Sequence, residues 1–201
     1  MSFFSKLFHR KDEFEDDERD HISSEGKSGD PERITVKLPF TMLYYSETKV
    51  EVGYEGEFDW YEVPTDYMKK MYYYPVGCFV DTDELGRTDA TRGIRRLTAL
   101  FEDREREDAR VKQAVADHFT GEDGIVTNDW DQDWGTLTKE EFLEELEIRF
   151  ITVYRDGRTA FSLINHAASC ADDGIHVVFD EAGEASFYSE REFYKIELDA
   201  Y

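Results

Sequence analysis

The stretch NDWDQDWGTLTKEEFLEELEIRFITVYRDGRTAFS, residues 128–162, decides the fold. Thr138 is followed three residues later by Glu141, the reciprocal pairing that opens a helix. The pattern predicts a helix over 139–146 that turns Phe142, Leu143 and Leu146 to the core. A strand comes directly after it. Ile148, Phe150 and Thr152 fall on one face and Arg149, Ile151 and Val153 on the other, so both faces carry apolar groups and the strand reads as central. Asp156-Gly157 then reads as a two-residue hairpin turn, with both positions at positive φ. Residues 159–164 return as the partner strand.

Outward from that stretch, the closing residues give a second hairpin. Residues 174–179 and 184–188 are its arms, around a turn at 181–183, and 192–198 read as a last strand or a helix, with the alternation favouring the strand. Before the stretch comes the main helical region. Thr88 or Asp89 is its cap; Ile94, Leu97 and Phe101 make one apolar stripe, and Val111, Val115 and Phe119 continue it. The charged segment between them predicts either one long helix with an exposed middle or two helices broken near Glu105. Gly121 and Gly124 are the expected stop.

From Arg33 to Val80 the period is that of strands. Ile34, Val36 and Leu38 alternate with Thr35 and Lys37, and 42–45 and 49–54 are further short runs. Phe58, Trp60 and Tyr61 read as another strand before Pro64, and 66–74 fits helix or strand. Residues 76–80 read as a buried strand with Cys78 as a small hydrophobe in its middle. Strands, then helices, then strands predict an α+β fold: a largely antiparallel sheet carrying a long helix or helix pair and one short helix. Residues 1–31 read as an amphipathic and acidic tail with a linker, and 32–201 as a single domain.

The chain has 201 residues, 47 acidic against 24 basic, for a net charge of -23. So negative a chain repels phosphate backbones, which argues against nucleic acid and for a basic protein partner. A cation or a high-salt habitat would also fit the charge, though Phe and Tyr, 15 and 12 in number, weaken the salt-adapted reading. Cys78 and Cys170 stand in unrelated contexts without zinc spacing, as expected of reduced thiols in a cytoplasmic protein. No run of about 18 apolar residues occurs. MSFFSKLFHRK does not read as a secretory signal, since Lys6 interrupts its apolar residues. Phe3, Phe4, Leu7 and Phe8 recur at helical spacing beside Lys6, Arg10 and Lys11, a pattern compatible with contact to an anionic membrane. A tail packed on its own domain is the plainer reading.

From Asn128 onward the chain resembles a group of bacterial proteins grouped as a domain of unknown function. The resemblance rests on Asn128, Trp130, Leu137-Thr138, Glu140-Glu141-Phe142, Ile151 and Asp156-Gly157, with Gly174-Ile175 and Gly183 later. It covers the second half of the chain. An aromatic-Gly-His segment of the family is missing here; the corresponding region, 165–173, keeps His166 alone. The resemblance implies a fold, and small acidic cytoplasmic proteins of the kind that neutralise secreted bacterial toxins.

The acidic loop of residues 129–134 carries the chemistry that spacing alone suggests. Asp129, Asp131 and Asp133 alternate, and Glu140 stands twelfth from Asp129, as calcium-loop ligands do. Trp134 occupies the sixth position, where that loop requires glycine, so neither a metal nor any other cofactor is expected. Asp129, Trp130, Asp131, Asp133 and Trp134 instead form a candidate partner-binding loop of aromatic anchors among carboxylates. GxSxG, GxGxxG, HExxH and the phosphate-binding loop are all absent from the sequence. His118 is expected at a helix end and His176 half-exposed in a strand; His166 and Cys170 form at most a faint pair. The expected function is a non-enzymatic acidic binding protein that occludes a basic site on a partner such as a toxin. An enzyme with an unrecognised carboxylate site and a membrane-peripheral regulatory module are the alternatives.

Overall fold

The structure is a computed structural model that describes residues 35–47, 52–71, 73–82, 90–126, 137–166, 174–189, 192, 193 and 195. Contacts divide the chain into Met1–Arg33 and Ile34–Tyr201, and all the described residues lie in the second unit. Eight strands form one sheet in sequence order: β1 (Thr35–Lys37), β2 (Met42–Glu47), β3 (Val52–Phe58), β4 (Val76–Asp81), β5 (Leu146–Val153), β6 (Thr159–Asn165), β7 (Ile175–Phe179) and β8 (Ala185–Ser189). Every neighbouring pair is antiparallel except β4 and β5, which are parallel. The helices are α1 (Tyr67–Met71), α2 (Ala90–Glu102), α3 (Arg104–Phe119) and α4 (Lys139–Glu144). The fold is therefore α+β with a largely antiparallel sheet, as the order of patterns predicts.

A parallel neighbour cannot be reached by a tight turn, so the chain between β4 and β5 must cross over. Helices α2, α3 and α4 make that crossing and pack on one face of the sheet. Leu97, Leu100, Val111, Val115, Phe119 and Phe142 meet Cys78, Val80, Ile148, Ile151, Phe161 and Val177 there. Burial pushes the Cys78 thiol up to about 12, so it is an inert part of this core. Cys170 lies outside the described residues.

The helices are a pair, separated by a single turn residue, Asp103, two residues before the expected break. At the far end of α3 the stop is Thr120 rather than a glycine. Its backbone is extended, and its N–H and its hydroxyl both donate to Ala116 O, at 3.0 and 2.6 Å. Gly124, at φ +78°, belongs to the turn beyond it. The capping box of α4 is complete. Glu141 N–H donates to Thr138 Oγ1 at 3.3 Å, and Thr138 N–H donates to Glu141 Oε2 at 2.9 Å. The helix ends at Glu144, and Leu146 is the first residue of β5 rather than a helical one.

Within β5 the expected alternation fails. Ile148 pairs with Leu163 and Ile151 with Phe161, three residues against two, so the strand bulges between Ile148 and Phe150. The extra residue reverses the facing. Ile148, Ile151 and Val153 all join the helical core, while Phe150 and Thr152 fall to the other face. Strand β3 ends at Phe58, so Trp60 and Tyr61 lie beyond it instead of in a strand. They secure the start of β5, which pairs with β4 only from Phe150 on. Ile148 N–H donates to Tyr61 OH at 2.8 Å, and Tyr61 OH donates to Asp108 Oδ1 at 2.8 Å. Trp60 Nε1 and Lys112 Nζ complete the shell of Asp108, at 3.2 and 2.9 Å. Burial and the Asp108 charge raise the Tyr61 phenol well above its ordinary range, so it stays a neutral hydrogen-bond relay.

The β5–β6 turn also differs from the two-residue form. Tyr154 N–H donates to Arg158 O, enclosing Arg155, Asp156 and Gly157, and only the glycine has positive φ, +94°. The β7–β8 turn repeats it: Asp180 N–H donates to Glu184 O, with Gly183 at φ +88°. Such three-residue turns place glycine where the chain must pass through left-handed backbone. Of the two readings for 192–198, the described residues follow the helical one: Glu192, Phe193 and Lys195 are helical. Glu192 Oε2 accepts from Ser189 N–H and Oγ at 3.0 and 2.9 Å, a local closure that favours a turn of helix over continued pairing.

Two measurements check these contacts. Tyr61→Phe leaves Ile148 N–H unpartnered and should lower urea-unfolding stability by about 2 kcal/mol. Gly157→Ala and Gly183→Ala both meet left-handed backbone and should each cost about 1 kcal/mol. At Gly157 the new Cβ also displaces the exposed Glu181 side chain, while nothing lies within 4 Å of one at Gly183.

Candidate functional site: the second face of the sheet

Helices α2–α4 occupy one face, so the second face shows what the crossover leaves over. Over β5–β8 it carries a small cluster of Tyr154, Ala160, Val178 and Phe193, with Tyr188 against it. Beneath lies His176, whose Nδ1 is 2.8 Å from Ser162 Oγ and whose ring stacks on Phe193 at 4.2 Å. The imidazole is 1% exposed, not half-exposed as alternation implied, because Phe193 folds back over it. Both partners are buried, so this Ser–His pair ties β6 to β7.

Over β1–β4 the second face is different. The register sets Thr35, Tyr44, Glu55 and Phe79 side by side across four strands. Lys37 opposes Met42 on β1 and β2, and Glu57 opposes Gly77 on β3 and β4. Met42 is 41% exposed, Glu57 and Lys37 are exposed, and Tyr44, Glu55 and Phe79 are half-buried. None of these six belongs to either packed cluster. Two glycines shape the surface. The Phe79 ring lies over Gly53 and the Phe150 ring over Gly77, each so close that a Cβ on the glycine would collide with the ring. Both rings thus lie low across the strands; Phe150 is buried, and Phe79 is half-buried beside Glu55 and Glu57.

At the β5 bulge, Arg149 borders this region. Its Nη2 is 3.1 Å from Glu147 Oε2, which is in turn 2.5 Å from His166 Nε2. The guanidinium sits 5.4 Å from the centroid of Tyr74, which is 56% exposed, and Arg149 Nη1 is buried without a hydrogen-bond partner. Nearby, partial burial and Asp59 push the Tyr73 phenol up to about 12. An aromatic surface with carboxylates and an oriented guanidinium suits contact with another protein.

The loop residues Asp129, Trp130, Asp131, Asp133 and Trp134 lie outside the described residues, as do Phe3, Phe4, Leu7 and Phe8. Glu140, the last residue of the calcium-like spacing, is exposed on α4. Among the described residues no group of three or more His, Cys, Asp or Glu side chains could hold a metal ion, and no described helix is long and apolar enough to cross a membrane. His118 stands in the last turn of α3, as expected, and stacks on Phe187 at 3.9 Å. Reading by sequence overlooked Tyr44, Glu55 and Phe79. Alternation in β2 and β3 was visible, but nothing local says which side the helices take.

Asp81, at the end of β4, is the one carboxylate among the described residues that burial shifts upward. Its Oδ1 is buried without a partner; Arg155, through its N–H at 3.3 Å and its guanidinium at 3.8 Å from Oδ2, and more weakly the Arg158 charge, offset that burial in part. The folded carboxyl therefore keeps its proton to higher pH than the unfolded one. Its contribution to stability is full below about pH 4 and is lost as pH rises through the raised value. Asp81→Asn does not titrate, so its stability relative to the unsubstituted protein should rise as the pH increases above about 4. A pH-independent difference in urea midpoints would contradict the assignment.

No protein-family model, curated protein or solved structure matches the chain.

Proposed function

We propose that this protein is a non-enzymatic acidic binding protein of the cytoplasm that occludes a basic site on a protein partner, as toxin-neutralising proteins do. The observation that carries the proposal is the row of Glu55 and Phe79 on β3 and β4, with Tyr44, Met42 and Glu57 beside it, outside both packed clusters of the described residues, in a chain of net charge -23. Aromatic rings that lie low on a sheet can be covered at small conformational cost and supply the anchor of an interface. Carboxylates around them choose a basic partner and speed its approach. The loop of residues 129–134, with two tryptophans among three aspartates, supplies a second acidic-aromatic contact segment in this reading. The resemblance of the second half of the chain to bacterial proteins of immunity-like character favours a toxin as the partner.

The test is protection. Co-expression should rescue cells from a basic toxin domain encoded in the same gene neighbourhood, and the purified proteins should form a stable complex. Replacing Glu55 and Glu57 together by Lys should slow association about tenfold at low salt and weaken its salt dependence. Absence of both complex and protection would end this reading.

A further inference from the structure

On the helical side, away from the β1–β4 aromatic surface, a cavity of about 370 Å³ opens between α2, α3 and the β7–β8 turn. Its polar lining includes Arg96, Arg106 and Arg110, and its apolar walls are Ala99, Leu100 and Phe179. Three guanidinium groups in one cavity are unexpected in so acidic a chain, and their pairing decides what the cavity can hold. Its three carboxylates are already engaged. Asp103 is 2.6 Å from Arg106, Glu181 is ion-paired with Arg92, and Glu107 Oε2 accepts from Arg110 Nε and Nη2 at 3.0 and 2.7 Å. The Glu107 side chain is only 12% exposed, so its pair with Arg110 is partly desolvated, whereas the other two pairs are exposed to solvent.

Arg96 is the surplus charge. Its Nε donates to Thr159 Oγ1 at 3.4 Å, and no described carboxylate lies within ion-pair distance of it. That contact orients the guanidinium by its Nε side and leaves the terminal N–H fork unspent. Across the cavity, Arg110 lies over the Phe179 ring, 3.9 Å from its centroid, held in place by Glu107. The site therefore offers a free fork, a second pre-set guanidinium and an apolar wall, with the local acids neutralised. At physiological ionic strength the field of remote acidic groups is screened beyond ~8 Å.

We propose that this cavity binds a small organic anion: a carboxylate or phosphate headgroup on the Arg96 fork, with its flat body beside Ala99 and stacked on the Arg110 guanidinium that covers Phe179. Planar bidentate recognition by arginine suits either headgroup, and the volume matches an aromatic ring with one substituent.

Titration with benzoate, phenyl phosphate and inorganic phosphate, monitored through the arginine Nε–H resonances, tests it. One equivalent of benzoate or phenyl phosphate should shift the Arg96 signal, and the tighter of the two identifies the headgroup. Arg96→Gln should weaken that binding about tenfold or more with an unchanged unfolding midpoint. Arg95→Gln, an exposed neighbour on α2 that does not line the cavity, should leave it intact. The proposal fails if neither organic probe binds, if inorganic phosphate binds as tightly as both, or if Arg95→Gln weakens binding as much as Arg96→Gln. None of these outcomes bears on partner binding at the opposite face.

Discussion

The parallel alignment of β4 with β5 is the constraint on which the molecule depends. All other neighbouring strands run antiparallel and succeed one another in sequence; here the chain must leave the sheet, cross over it and return in the same direction. Helices α2, α3 and α4 are that crossing, and they deliver their apolar stripes to one face. With the long helices committed to one side, the only packed cluster on the other among the described residues is the one around Phe193, over the β5–β8 half. The aromatic and acidic surface of β1–β4 results from this division of labour.

The same constraint places unusual demands on β5. It lies between a parallel and an antiparallel neighbour, is buried on both faces, and starts before its parallel partner does. The bulge at Arg149 reconciles its apolar residues with both faces. Tyr61 supplies the backbone partner that β4 does not, and through Asp108 it links the strand to α3. Buried polar groups are tolerated where such a chain of donors and acceptors is complete. Asp81 is the contrasting case, a buried carboxylate with one oxygen left over.

Charge is distributed as unevenly as apolar surface. Arginines 92, 96, 106 and 110 gather on α2 and α3, where they neutralise Asp103, Glu107 and Glu181 and leave Arg96 over. Glu55 and Glu57 stand on the opposite face beside aromatic rings. Net charge describes how the whole molecule meets a distant partner; it says little about a cavity whose acids are already paired.

Features set by neighbours in the chain were legible from sequence: the Thr138–Glu141 cap, the apolar stripes of the helix pair, the existence of strands on either side of the helices, and the places of the two glycine turns. Each depends on a few adjacent residues whose hydrogen bonds or sterics admit one local form. Where the choice depended on distant partners, residue order was insufficient. The bulge that turns Ile151 inward, the burial of His176 under Phe193 and the helical turn at Glu192 all answer to packing between segments remote in sequence. The acidic loop at 129–134 stood out because its composition is local. The row of Tyr44, Glu55 and Phe79 did not, because it exists only when strands align and the helices choose the other face. Local chemistry thus determined the elements and their class, while the crossover and its packing settled which surfaces remain for a partner.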